Sequence, residues 1–310
     1  MISEKRLKEV ALVYFRNNQD DIKTAQILNL KPSAVRRYIR KFRENPSDTT
    51  PSKIFIADIE TAQMIVKVWS LRQYGKYIDY RRIVKDWFIL MWSGKWALSN
   101  EVLGECVTPK EALDRDDSRI LEPLWDILDN AQIVIGHNYR SFDDRKIKAR
   151  LFKHKQLPPS SYQIIDTLKH SQKEFALSSH KLDYITGYLE LPQKLETNIG
   201  LWDNCEDGSQ DALDEMFEYC KNDIVINEQL YFELLPWMKS HPNVGLFTDM
   251  TEECCPNCGS TNLEHLDKFY ITPVNKFPVV RCLDCGKPSH SRTSTVSPKQ
   301  RKNLLRSSAK

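Results

Sequence analysis

The sequence has no long apolar run and few glycines. No unbroken apolar stretch, Trp87–Trp92 included, exceeds six residues, against the ~20 that a membrane-spanning helix needs. The opening Met1-Ile2-Ser3-Glu4-Lys5 leads into charged amphipathic sequence without the apolar core of a secretory signal. The expectation is a cytoplasmic protein, neither secreted nor integral to a membrane. Among ten glycines in 310 residues, Gly94-Lys95 lacks the upstream Gly and following Ser/Thr of a phosphate-binding loop. No Gly-x-Ser-x-Gly element occurs, so serine-hydrolase chemistry of that kind is excluded as well. No internal repeat is visible. At 41% hydrophobic and 28% charged residues, the chain can build a core, and global disorder is excluded.

What is present is unevenly placed charge. Residues 1–45 carry 11 Lys/Arg against 5 Asp/Glu, and residues 252–310 carry 10 against 5, whereas residues 46–251 carry 24 against 32. Two basic ends around an acidic centre fit polyanion-binding modules flanking a domain that concentrates carboxylates. Asn45–Lys53 is polar and broken by prolines, and Pro236, Pro242 and Gly245 end a long helical pattern. From Pro288 onward large apolar residues almost vanish. The expected organisation is a helical module at 1–45, a linker at 46–52, a central domain at 53–236, a cysteine module at 252–287 and a disordered basic tail at 288–310.

In the first module Val10, Val13, Tyr14 and Ile22 are placed inward from a first helix and its turn. Thr24–Val35 reads as a short helix, a tight turn and a second helix with Val35, Ile39 and Phe42 as its buried stripe. The opposite face presents Arg36, Arg37, Arg40, Lys41 and Arg43. This resembles a helix-turn-helix, whose second helix enters the major groove, and five cations on one face fit phosphate attraction. A small bundle docking on another protein is the alternative.

The central domain opens with Lys53–Thr61, an apolar run suited to a strand buried on both faces. Residues i and i+2 share a strand face, so Asp58 and Glu60 project side by side. Paired carboxylates at the end of a buried strand repel one another unless a cation or proton relieves them. A second run, Gln132–Gly136, is stopped by His137-Asn138 and followed by a helix starting near Ser141, with Asp143 in its first turn. Asp143 could equally be only a helix cap. The third piece, Asp211–Leu235, is a long amphipathic helix on which Tyr219 and Asp223 stand i, i+4 on a stripe continued by Ile226 and Leu230.

Asp58-Ile59-Glu60-Thr61, then Asn138-x3-Phe142-Asp143, then Tyr219-x3-Asp223 resemble the three motifs of the tyrosine-variant DEDD superfamily of 3′–5′ exonucleases, nearest to those related to the proofreading domain of B-family DNA polymerases. Gly136-His137-Asn138, Ile165-Asp166-Thr167-Leu168, Ser179–Tyr184 and Leu201-Trp202 agree with it, over about residues 53–236. The resemblance implies an α/β fold of the ribonuclease-H type, a mixed five-stranded sheet with flanking helices. It also implies two Mg²⁺ or Mn²⁺ ions held by Asp58, Glu60, Asp143 and Asp223, with Tyr219 orienting the attacking water. Asp144 competes with Asp143, which follows the Phe as the pattern requires. Asn138, Lys181 and Asp166 are weaker candidates for contacting substrate or supporting ligands.

Cys255-Pro256-Asn257-Cys258-Gly259 and Cys282-Leu283-Asp284-Cys285-Gly286 stand 23 residues apart. Two such knuckles supply four thiolates for one structural Zn²⁺, and the Gly after each permits a positive-φ turn. Intervening short strands at Lys268–Ile271 and Phe277–Arg281 make the module resemble a zinc ribbon, open to nucleic-acid contact or protein docking. The expected activity is 3′–5′ exonucleolytic release of nucleoside 5′-monophosphates, with DNA favoured as substrate. An exoribonuclease, or a DNA-binding regulator using the fold as a scaffold, is the alternative. The module order looks like that of bacterial or bacteriophage DNA-metabolism proteins.

Overall fold

A computed structural model describes residues 6–7, 10–11, 13–14, 17, 20–44, 53–70, 77–247, 251–305 and 308, without the side chains of 41–44. The expected linker at 46–52, and the side chains of Phe42, Lys41 and Arg43, lie outside the described residues. The strands are β1 (Ile54–Thr61), β2 (Ile65–Val66), β3 (Ile83–Lys85), β4 (Ile89–Trp96), β5 (Leu103–Cys106), β6 (Ile133–Gly136), β7 (Gln163–Asp166), β8 (Leu263–Ile271), β9 (Lys276–Cys282) and β10 (Pro288–His290). The α-helices are α1 (Asp21–Ile27), α2 (Pro32–Glu44), α3 (Pro109–Asp114), α4 (Ser118–Asn130), α5 (Asp143–Lys153), α6 (Thr167–Glu174), α7 (Leu182–Tyr188), α8 (Ile199–Glu206), α9 (Gln210–Leu234) and α10 (Pro298–Arg301). No helix among these is long and apolar enough to cross a membrane.

The chain divides into two compact units, one of residues 53–231 and one of residues 1–52 with 232–310. The first unit is built on a five-stranded sheet in the order β5-β4-β1-β6-β7. β1 runs antiparallel to β4 and parallel to β6, which is parallel to β7. The sheet is therefore mixed, as the resemblance implies. Phe55, Ile56, Ala57 and Ile59 of β1 are buried, because the central strand has helices to cover it and apolar residues on both of its faces. Gly94 of β4 lies opposite Ala57, and a Cβ there would run into the Phe55 ring, so this glycine belongs to sheet packing.

Asp117, buried, ties β4 to α5 and the residue after it. It accepts from Arg150 Nε at 2.6 Å, Arg150 Nη2 at 2.8 Å, His154 Nε2 at 2.8 Å and the Ile89 amide at 2.9 Å. The guanidinium already supplies the cation that this buried carboxylate requires.

In the other unit, α1 and α2 are joined through Asn29, which adopts a left-handed conformation at φ 50°. Val35 and Ile39 are buried as expected. Ile22 is not: it is 58% exposed, because Asp20 caps the helix and places Ile22 in its first turn on the outer side, where Thr24 and Ala25 face inward. β8, β9 and β10 form a three-stranded antiparallel sheet. Residues 288–305, expected to be disordered, continue this fold. β10 pairs with β9, the Thr295 amide donates to the Lys276 carbonyl at 2.8 Å, and Ser297 and Gln300 cap α10 reciprocally. Backbone hydrogen bonds to a sheet edge hold this polar segment, and hydrophobic patterning does not register them. The helix expected to close at Leu235 ends at Leu234, and the chain passes back into the other unit at Phe232, before the expected boundary at 236. Asn257 Nδ2 donates to the Leu235 and Met238 carbonyls at 2.7 and 3.1 Å, which anchors the first cysteine knuckle to these residues.

Candidate active site

β1 delivers Asp58 and Glu60, and α9 delivers Asp223. One carboxylate oxygen from each lies within 4.8 Å of the others, with Asp223 buried and the other two half-buried. Asp143 sits in the first turn of α5, buried, and its Oδ1 accepts the Ile59 amide of β1 at 3.1 Å. It is outside the three-way cluster, yet its negative charge acts on Asp58. Asp144 points to other partners, Tyr162 Oη at 2.7 Å and Lys148 Nζ at 2.8 Å. The helix opens at Asp143 rather than near Ser141 because Asn138, at φ 68°, first makes a turn whose carbonyl accepts from Ser141 and Phe142. Asp166 holds that turn, accepting the amides of Asn138 and Arg140 at 3.1 and 3.2 Å while capping α6.

Four recessed carboxyls on one site raise each other's proton affinity. Burial lifts Asp143 from its ordinary 3.8 to about 8, and burial with the Asp223 charge lifts Glu60 from 4.5 to about 7. Asp58 is pushed well up by burial and then by Asp143, Glu60 and Asp223. Burial also raises Asp223, against the pull of Lys194. Asp223 Oδ1 is buried with no hydrogen-bond partner. A set of hard oxygens short of positive charge, one of them orphaned, fits a divalent cation such as Mg²⁺ or Mn²⁺.

Tyr219, one helical turn before Asp223, is buried edge-on to Trp202 with ring centroids 6.3 Å apart. Burial and the Asp223 charge raise its hydroxyl above its usual range, so it keeps its proton at neutral pH. Trp202 of α8 also hydrogen-bonds Glu60.

Lys194 was not anticipated. Its Nζ lies 2.6 Å from Asp223 Oδ2 and 5.0 Å from the Tyr219 ring centroid. Burial opposes its charge, but the Asp223 carboxylate and the Tyr219 hydroxyl outweigh it and hold the ammonium protonated. Residue 194 lies in the irregular stretch between α7 and α8, so no periodicity marks it.

Two clefts flank the carboxylates. One, of about 550 Å³, is lined by Glu60, Met64, Trp87, Phe142, Lys146 and Trp202. Lys146 Nζ donates to Thr61 Oγ1 at 2.8 Å and sits 4.5 Å from the centroids of both Trp87 and Phe142. The other, of about 640 Å³, includes Asn138, Lys181, Lys194 and Tyr219. Arg36, Arg37 and Arg40 are exposed on α2 in the other unit, and Arg36 is paired with Asp21 at 2.6 Å.

The cysteines Cys255, Cys258, Cys282 and Cys285 place their sulfurs within 4.8 Å of one another, with Cys255–Cys285 at 3.5 Å and Cys258–Cys282 at 3.6 Å. Sulfurs bound tetrahedrally to Zn²⁺ at ~2.3 Å stand about 3.8 Å apart, so this set fits the ion. Gly259 and Gly286 take φ of 72° and 78°, and each donates its amide to the carbonyl of the first cysteine of its knuckle at 2.9 Å. These are the turns that the two glycines permit.

Residues 104–235 match the model of the RNase_H superfamily. That match takes in Asp143, Tyr219 and Asp223 and begins after β1. Among solved structures, the chain is similar to a family B DNA polymerase from the hyperthermophilic archaeon Pyrobaculum calidifontis, at 15% identity and a TM-score of 0.44, covering 61% of this chain and 25% of the polymerase. The chain thus spans about a quarter of that protein's length. No curated protein matches the chain. The five-stranded mixed sheet and the matched segment together make residues 53–231 an RNase H-like α/β domain.

Proposed function

We propose that the protein is a metal-dependent 3′–5′ exonuclease that releases nucleoside 5′-monophosphates, acting on single-stranded DNA ends. The convergence of Asp58, Glu60 and Asp223 beside Asp143 carries this reading. Carboxylates from three separate segments, each costly to ionise alone, gather in a fold of the class that carries nuclease sites, with Glu60 in the wall of a cleft. Asp58, Glu60, Asp143 and Asp223 would hold two divalent ions, which when bound activate water and stabilise the departing oxygen. Tyr219, protonated and fixed against Trp202, orients the attacking water through its hydroxyl. Lys194 opposes the burial that favours the protonated Asp223, and a protonated carboxyl there is a poor metal ligand.

The Trp87–Phe142 cleft supports a terminal nucleotide. Its aromatic walls suit a base, and Lys146 places a cation between them. The exposed arginines of α2 support a separate phosphate-binding surface, in keeping with a helix-turn-helix, and the four-cysteine cluster a zinc ribbon. The strand polarity of hydrolysis and the preference for DNA rest on the three-motif resemblance.

The test is digestion of DNA and RNA oligomers, labelled at the 5′ or the 3′ end, in Mg²⁺ or Mn²⁺. A 5′-labelled DNA strand should shorten in single-nucleotide steps while a 3′ label is released at once as mononucleotide. Faster loss of RNA would make the enzyme an exoribonuclease, and no hydrolysis of either would return the chain to a binding role.

A further inference from the structure

The strands that carry the acidic pair and its antiparallel neighbour, β1 and β4, are joined through a separate two-stranded hairpin, β2 with β3. Three aromatic residues among its described positions are turned outward. Trp69 is 90% exposed, Tyr80 77% and Tyr77 fully exposed. Ring systems are the side chains with most to gain from burial, and three on one small hairpin in water mark a surface that meets a partner.

The segment is also basic in sequence: residues 64–86 carry six Lys/Arg and two Asp/Glu, four of the six among the described residues, inside a region, 46–251, that carries 24 against 32. Arg81 is held by Asp79. Arg82 places its guanidinium 5.8 Å from the Trp69 ring centroid, leaving the far face of the indole open. Lys85 lies on β3, and Lys67 follows β2 directly, its amide donating to the Arg82 carbonyl at 3.0 Å.

Its attachment decides where such a partner would lead. The chain enters the hairpin from Met64 and leaves it into Trp87, and both residues line the cleft beside Glu60. Both roots of the aromatic, basic hairpin are therefore in the wall of the carboxylate cleft.

We propose that this hairpin is a docking surface for single-stranded nucleic acid, which holds the strand behind the terminal nucleotide. Bases stack on Trp69, Tyr77 and Tyr80, and phosphates meet Arg82, Lys67 and Lys85. Interleaved rings and cations are what a flexible polyanion with exposed base faces needs, and a duplex hides those faces. The proposal rests on the nuclease reading for what the strand is led to, but not for whether it binds.

The test uses the full chain with Asp58→Ala as a non-hydrolysing background. Anisotropy reads the affinity for fluorescent single-stranded DNA of about 16 nucleotides and of about 3, since one small binding surface spans ~4–16 nucleotides. Trp69→Ala/Tyr80→Ala should weaken the long strand roughly tenfold or more, the scale of losing stacked bases. It should leave the short strand, the circular dichroism spectrum and, with Asp58 restored, the hydrolysis rate of the p-nitrophenyl ester of thymidine 5′-monophosphate unchanged. Arg82→Gln should flatten the salt dependence for the long strand. Unchanged long-strand affinity in the folded double variant would overturn the proposal and leave the patch to a protein partner. If the wild-type chain fails to hydrolyse the ester while the double variant still loses the long strand, the nuclease reading falls and the docking surface stands.

Discussion

Lys194 Nζ stands 2.6 Å from Asp223 Oδ2, so a protein side chain supplies one positive charge to the carboxylate cluster. Its charge lowers the proton affinity of Asp58 and Glu60 as well as Asp223.

Removing that charge has a signed consequence. In Lys194→Met the cluster's carboxyls hold their protons to higher pH, so the acid limb of the pH–rate profile moves upward and activity at neutral pH falls. The profile measured at saturating Mn²⁺ checks it. Lys194→Arg should restore most of the shift, whereas a purely structural role would leave the limb in place.

Without metal, stability should decline as pH rises. Asp143 and Glu60 hold protons in the folded state up to about 8 and about 7, against ordinary values of 3.8 and 4.5. Their contribution is complete below those ordinary values and is lost as pH rises through the folded ones, because the folded state then retains protons that the unfolded chain has released. The melting temperature of metal-free protein should therefore fall between about pH 5 and pH 8. Added Mn²⁺ should recover it most at the alkaline end, where protons no longer compete for the ligands. A melting temperature that rises over that interval would contradict the arrangement.

The site residues separate by what they lose. Asp58→Ala should abolish hydrolysis and raise metal-free stability, since it relieves repulsion with Asp143, Glu60 and Asp223. Tyr219→Phe keeps the packing against Trp202 but lacks the hydroxyl, and should slow hydrolysis by on the order of 10–10³-fold with little change in substrate binding. Single-turnover rates, with chemistry limiting, measure both.

The four-cysteine cluster belongs to the other unit. Cys258→Ser should lower bound zinc from one per chain toward none, measured by metal analysis, and expose residues 251–305 to proteolysis, because four thiolates and a small sheet give that region little else to fold around. Hydrolysis of a short ester substrate should persist, since Asp58, Glu60, Asp143, Tyr219 and Asp223 all lie within residues 53–231.

Much of the site can be read from the sequence because local periodicity sets it. Asp58 and Glu60 share a face because strands repeat every two residues, and Tyr219 and Asp223 share one because helices repeat every 3.6. The two Gly-terminated cysteine knuckles are legible for the same reason: a tight turn and its ligands lie within five consecutive residues. Ile22 misled because an inward position in a first helical turn depends on where the cap falls, and Asp20 set that. The segment after Pro288 misled because backbone bonds to β9, which carry no compositional mark, order it.

The sequence alone thus determined the residue types, the strand and helix that present them and the order of the motifs, all consequences of short-range geometry. Only the tertiary structure decided that Lys194 reaches Asp223, that Asp143 turns to β1 while Asp144 turns to Tyr162, and that the β2–β3 hairpin is rooted in the cleft wall. Each of these joins segments with no periodic relation along the chain, so packing of the folded sheet against its helices and loops sets them.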